Sequence, residues 1–176
     1  TWKHDGPLDM RMNPARGEPA SAWLARQDET ALAACLTLHA DEPNARPLAR
    51  ALAGGRIDTT LALAARIRSA LPRLQAGELD RTIRRVFQSI RIAVNQEFAT
   101  LDAFLAQLPG CLRPGGRVVI LTFHSGEDRR VKHAFADGVL AGTYSRVARE
   151  VARPSPAERR ANPRATPAKL RWAVRA

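Results

Sequence analysis

Apolar positions recur every three or four residues through the first two thirds of the chain, and strand-like runs come only in the last third. Over residues 21–38, the apolar face Trp23, Leu24, Leu32, Cys35, Leu36 and Leu38 predicts one helix with Ser21 as its cap. Pro43 and Pro47 disturb the next segment, and residues 47–52 read as a short helix stopped by Gly54-Gly55. Asp58-Thr59-Thr60 is a helix start for residues 61–71, which Pro72 ends. The longest predicted helix covers residues 79–108. Its core stripe is Ile83, Val86, Phe87, Ile90, Val94, Phe98, Leu101 and Leu105. A second stripe, Arg81, Arg84, Gln88, Arg91 and Asn95, sets three guanidiniums and two amides in line; it is either a binding face or a solvated one.

Pro109-Gly110 breaks that helix, and Pro114-Gly115-Gly116 turns into a strand over residues 117–123. The strand is apolar almost throughout, as expected when both faces are covered. Residues 128–135 read as helix, and 144–152 with 169–174 as an antiparallel hairpin across a long connection. Residues 1–20, with Pro7, Pro14, Gly17 and Pro19, read as loop, and the Pro/Arg-rich stretch 153–167 as irregular. The expected class is α/β.

The chain has 176 residues, enough for one domain or one and a half, and at 45% hydrophobic it can bury a core. Lys and Arg outnumber Asp and Glu by 28 to 17, which favours a polyanionic partner. Residues 146–176 hold nine Lys/Arg against two Asp/Glu, so they carry +7 of the net +11. Cys35 and Cys111 lack CxxC spacing, which predicts buried free thiols in a reducing cytoplasm, with no metal. No apolar run reaches about 18 residues, so no membrane span or membrane partner is expected. No secretory signal is expected either. The start at Thr1-Trp2-Lys3-His4, without Met, suggests a fragment or processed product.

Two segments are dense in chemistry-bearing groups: Asp5-Gly6-Pro7-Leu8-Asp9-Met10-Arg11-Met12 and Thr122-Phe123-His124-Ser125-Gly126-Glu127-Asp128-Arg129. The second lies past the carboxyl end of a predicted strand, where open α/β sheets place ligands. Together with Phe87-Gln88-Ser89-Ile90-Arg91-Ile92-Ala93-Val94-Asn95 and Asn162-Pro163-Arg164-Ala165, continued by Ala168-Lys169-Leu170-Arg171, they form an ordered set. That set resembles the bacterial 16S ribosomal RNA cytosine-N4 methyltransferases, the MraW/RsmH family, over nearly the whole chain.

The resemblance implies S-adenosylmethionine-dependent methylation of the exocyclic amine of one cytosine in small-subunit ribosomal RNA, free or in the 30S particle, in the cytoplasm. It implies the C-terminal part of a Rossmann-like class I methyltransferase sheet plus an inserted all-helical subdomain. Residues 1–19 would be an active-site loop segment, 20–79 the substrate-recognition insertion, and 80–176 the rest of the catalytic domain. The family's glycine-rich cofactor loop normally precedes the Asp-Gly-Pro-Leu-Asp motif. Only four residues precede it here, so the main cofactor loop is expected outside this chain, and the isolated chain to be inactive. The family's Tyr-Gly-Glu-Glu is His39-Ala40-Asp41-Glu42 here, and the Leu usual after His-Ser is Gly126. A non-catalytic RNA-binding module of the same descent and a generic helical interaction domain are the competing readings. A second copy of the chain is a candidate partner.

Methyl transfer is an in-line displacement that needs an oriented acceptor and no covalent intermediate. Cytosine's amine is a poor nucleophile, so an oxygen accepting its N–H would help localise the lone pair, and the base must be unstacked. The candidate catalytic residues are Asp9, Asn95, His124 and Glu127. Asp9 is either an acceptor for the amine or a turn aspartate. Arg11 clamps a phosphate or a cofactor carboxylate, or pairs with Asp5 or Asp9. Met10 and Met12 pack the loop down. His124 stacks on or bonds the base, or holds its loop, while Asp128 reads as a helix cap. Candidate RNA contacts are Arg11, Trp23, Arg84, Arg91, Ser125, Arg129, Lys132 and Arg164, with Trp23 favoured as core. Basic residues such as Arg159, Arg160, Lys169 and Arg171 suit phosphate contacts, which give affinity rather than sequence reading.

Overall fold

The computed structural model describes residues 4–176; Thr1, Trp2 and Lys3, which begin the predicted opening loop, lie outside the described residues. The chain divides into two compact units, residues 1–97 and 98–176.

The first unit is helical: α1 (Ala20–Ala25), α2 (Glu29–Ala40), α3 (Ala45–Leu52), α4 (Thr60–Ala70) and α5 (Ala76–Val94). The single helix expected over 21–38 is two helices. Asp28 breaks it, because its carboxylate accepts the Ala31 N–H and caps α2. The cap position of α1 is Pro19, so Ser21 sits inside the helix. Thr59 caps α4 as expected, its hydroxyl accepting the Ala62 N–H. Leu24, Leu32, Leu36, Leu48, Leu52, Leu63, Ile67, Ile83, Val86 and Ile90 form a fully buried core. The opening loop is fastened to it. Leu8 is buried, its N–H donates to the Asp58 carbonyl, and its own carbonyl accepts the Ser21 N–H. The Thr60 hydroxyl donates to the His4 carbonyl.

The second unit holds α6 (Glu97–Gln107) beyond its first residue, β1 (Arg117–Thr122), α7 (Ser125–Leu140), β2 (Tyr144–Val147), α8 (Pro156–Ala161) and β3 (Lys169–Arg175). The sheet order is β1-β3-β2 with both pairings antiparallel, Val119 facing Trp172 and Leu121 facing Leu170 in register. The expected hairpin of β2 with β3 is present, with a register shift between Tyr144 and Arg146 and a further bridge from Ala152 to Leu170. Val118 and Ile120 pack on a core of Leu105, Leu108, Val131, Phe135, Tyr144 and Ala173. The alternate residues Val119 and Leu121, and Phe123 just beyond the strand, are exposed. Among the described residues one face of the strand is covered, with Val131 and Phe135 of α7 in the same core as Val118 and Ile120.

The helix expected over 79–108 begins earlier, at Ala76, and breaks after Val94. Gln96 adopts a left-handed φ of 51°, and α6 starts at Glu97. One continuous apolar stripe in the sequence thus serves two cores, Ile83, Val86 and Ile90 in one and Leu101 and Leu105 in the other. The helix expected over 128–135 runs from Ser125 to Leu140, and α8, capped by Ser155, lies inside the stretch read as irregular. Cys35 is half-buried, while Cys111, expected buried, is exposed at the end of a short 3-10 turn; both are free. Gly126 accounts for one departure from the resemblance. The Phe98 ring occupies the space a Cβ there would need, and the Arg130 guanidinium stacks 3.6 Å over that ring. Among the described residues no helix is long and apolar enough to cross a membrane.

Candidate active site

The opening loop is built around one amide. Asn95, at the C-terminal end of α5, accepts the Met12 N–H on Oδ1 at 2.7 Å and donates through Nδ2 to the Met10 carbonyl at 2.8 Å. Nδ2 also reaches the Arg91 carbonyl, which ends the helix. Met10 sits at φ 62°, a conformation that side chains other than Gly seldom adopt. Asn95 therefore holds a left-handed residue in place between Asp9 and Arg11. Met10 packs on the core as expected, but Met12 is 68% exposed, because its fastening is through its backbone.

Arg11 pairs with Asp9 rather than Asp5. Nε donates to Oδ1 at 2.7 Å, Nη2 to Oδ2 at 2.8 Å, and the Arg11 backbone N–H also reaches Oδ1. The Arg11 hydrogen bonds hold the Asp9 carboxyl down at about 2. Asp9 is thus a permanent carboxylate at neutral pH and a poor general base. Oδ1 takes two N–H groups and Oδ2 takes one, so Oδ2 keeps acceptor capacity, and the side chain is 38% exposed. Asp5 accepts the Leu61 N–H at the start of α4.

The second segment spends its polar groups on folding. His124 is the N-cap of α7: Nδ1 accepts the Glu127 N–H, while Glu127 Oε2 accepts the N–H groups of Phe123 at 2.9 Å and His124 at 3.4 Å. This is a reciprocal capping box with histidine in the usual Ser/Thr place. His124 Nε2 lies 3.1 Å from Glu127 Oε1, yet the two are out of line for a hydrogen bond, and Nε2 is buried without an aligned partner. Burial pushes the Glu127 carboxyl up, but His124 and the Phe123 N–H outweigh it and leave it below its ordinary value.

Asp128, expected as a cap, is a buried anchor instead. It accepts Arg171 Nε at 2.7 Å and Nη2 at 3.2 Å, and Lys169 Nζ at 3.3 Å, which ties α7 to β3. Capping is already complete through His124 and Glu127, which frees Asp128 to turn to the sheet. Its burial pushes the carboxyl up, and Arg171 and Lys169 more than reverse that. Lys169 and Arg171, read as phosphate contacts, are therefore engaged internally.

The remaining candidates scatter. In the α5 stripe, Arg81 pairs with Glu78 at 2.5 Å and Arg91 with Glu97 at 2.8 Å, while Arg84 is exposed with no ion pair among the described residues. Trp23 is half-buried against the helical core. Ser125, Arg129 and Lys132 are exposed on α7, and Arg164 is exposed in the 3-10 turn Pro163–Ala165. Sequence reasoning missed a groove of about 720 Å³ beside Arg164, floored by Leu121, Phe123, Ala165, Ala168 and Leu170. The one available signal was Phe123, an aromatic residue just past the strand.

The profile of the MraW methylase family matches residues 1–176. The chain is 43% identical to ribosomal RNA small subunit methyltransferase H 1 of Lachnoclostridium phytofermentans, over all of this chain and 50% of that protein. It is 44% identical to the protein of the same name from Agathobacter rectalis, over all of this chain and 53% of the relative. The small subunit methyltransferase H of Myxococcus xanthus is 39% identical over 97% of this chain and 61% of its own length. The chain spans about half the length of the curated relatives it matches. With a profile match along its whole length, this chain belongs to the MraW methylase family.

Proposed function

We propose that this chain supplies the acceptor side of a methyltransferase that modifies the exocyclic N4 amine of a cytosine in small-subunit ribosomal RNA, free or in the 30S particle, in the cytoplasm. The observation that carries the reading is the pinned loop. Asn95 fixes the backbone around Met10, Arg11 keeps Asp9 ionised and oriented, and one carboxylate oxygen retains acceptor capacity. An oxygen so placed suits an amine N–H. It would orient the nitrogen and localise its lone pair, and the proton that the amine gives up on methylation would pass to solvent. In this reading Asp9 is the catalytic residue and Asn95 and Arg11 are positioning residues. His124 and Glu127 act by shaping the start of α7.

The methyl group would come from a sulfonium donor, S-adenosylmethionine. Gly54-Gly55 follows a helix, with the Arg66 guanidinium filling the space beside Gly55, and Gly115-Gly116 precedes a strand. Neither pair follows a strand and opens a helix, so neither fits that donor, and no donor-binding residue is assigned. Residues 20–79 would recognise substrate, with 1–19 and 80–176 belonging to a Rossmann-like catalytic domain. The exposed arginines of residues 146–164 also favour a second reading, an RNA-binding module without catalysis.

The test is to incubate the intact protein with small-subunit ribosomal RNA and labelled donor, then map the methyl group by nuclease digestion and mass spectrometry. N4-methylcytidine at one position supports the reading. Label on another atom, or RNA binding without transfer, overturns it, and the latter favours the second reading.

A further inference from the structure

The apolar stripe of residues 79–108 suits one unbroken helix, and that stretch contains neither glycine nor proline. The helix nevertheless ends at Asn95, and Gln96 takes a φ of 51°, which side chains other than Gly seldom adopt. Arg91 holds the break from two directions. Its carbonyl accepts both the Asn95 backbone N–H at 3.1 Å and Asn95 Nδ2 at 2.8 Å. Its guanidinium forks onto Glu97, Nε to Oε1 at 2.8 Å and Nη2 to Oε2 at 3.1 Å. In a continuous α-helix, residues six apart stand about 9 Å apart along the axis and about 120° apart around it. Only neighbours three or four apart meet there. The Arg91–Glu97 fork therefore closes only once the helix has ended, and it favours the broken form over the unbroken one.

The break governs the opening loop through Asn95. Both N–H groups of its amide are spent, one on the Arg91 carbonyl and one on the Met10 carbonyl, while Oδ1 takes the Met12 N–H. The direction of the amide is thus tied to where the helix stops. Met10, left-handed at φ 62°, separates Asp9 from Arg11, whose side chains meet beside it. All of these groups lie within the first compact unit. We propose that the Arg91–Glu97 fork is a positioning device for Asp9: it fixes Asn95 at the helix break, and Asn95 holds the loop that presents the Asp9 carboxylate to the acceptor amine. Arg91, a candidate RNA contact by sequence, then serves the loop. Its effect on catalysis rests on the reading of Asp9 as the acceptor, whereas its hold on the loop does not.

The test reads the loop and the reaction separately in the intact protein. Carboxyl-carbon NMR titration follows Asp9, and single-turnover methylation of small-subunit ribosomal RNA follows transfer, with RNA affinity measured alongside. In Glu97→Ala the Asp9 carboxyl titrates higher, moving from about 2 toward 3.8. Transfer slows about tenfold with RNA affinity within about twofold. This is less than the loss of about 100-fold that a displacement of about 1 Å can bring, because Asn95 keeps its own bonds. Arg91→Lys keeps the charge but loses the fork, and gives a smaller change in the same direction. Arg91→Glu combined with Glu97→Arg restores both readouts. Circular dichroism and the thermal midpoint confirm folding, and Arg91→Lys carries the test if Glu97→Ala does not fold. An Asp9 titration unmoved in the folded single variants overturns the device. So does a loss of transfer matched by a loss of RNA affinity that the exchanged pair fails to restore, because Arg91 then contacts RNA. A raised Asp9 titration with transfer unchanged would leave the device standing and sink the catalytic reading of Asp9.

Discussion

Two segments of this chain are equally rich in ionisable groups, and they use them in opposite ways. In residues 5–12, Asp9 is oriented by Arg11 and the loop by Asn95, and one carboxylate oxygen keeps room for a further donor. In residues 122–129, Phe123 N–H, His124 and Glu127 close a capping box, and Asp128 is consumed by Arg171 and Lys169. The difference teaches that the density of polar residues marks a site poorly. What marks it is acceptor or donor capacity left over once local structure has been satisfied.

Replacing Asp128 breaks the contrast most severely. Asp128→Ala strands Arg171 and Lys169, whose side chains are 11% and 17% exposed, and is expected to cost about 3 kcal/mol in urea unfolding. A loss under about 1 kcal/mol would mean the cations find water instead. His124 sharpens the contrast at a smaller scale. His124→Ala should cost about 1 kcal/mol, and His124→Asn, which restores a good cap, should recover most of it. If both variants lose activity while His124→Asn keeps full stability, His124 touches substrate and the capping account is incomplete.

On stability Asp9 gives the smallest effect, because it is partly exposed. Its carboxyl lies at about 2 in the fold against an ordinary 3.8. A depressed carboxyl adds stability that is fully present above the unfolded value and lost as pH falls through the folded one, here between about pH 4 and pH 2. Carboxyl-carbon NMR titration checks it, and Arg11→Ala should return Asp9 toward 3.8. An Asp9 that titrates normally with Arg11 intact would contradict the pairing.

Much of the helical unit was legible from period alone, since buried leucines at helical spacing need no distant information. The β2–β3 pairing was legible from alternation. The break at Asn95 was not, because its cause is a hydrogen bond to Met10 and Met12 more than 80 residues away in sequence. Asp128 failed for the same reason: proximity to a helix start suggested a cap, and only the fold brings Arg171 to it. The apolar run of β1 reads as a strand covered on both faces, and the described residues supply the cover of one of them. Among the candidate site residues, the Asp9–Arg11 pair is one of the pairings that local spacing offers, whereas the groove at Phe123 draws on segments from 121 to 170 that no local motif joins.

The central claim is that Asp9 orients the acceptor amine, and Asp9→Asn tests it most directly in single-turnover methylation of small-subunit ribosomal RNA, with RNA affinity measured alongside. The account predicts a fall in transfer rate of about 100-fold with RNA affinity within about twofold of the unaltered protein, the signature of an interaction made at the reacting atom. A rate unchanged by Asp9→Asn, or a loss explained wholly by weaker RNA binding, would contradict it.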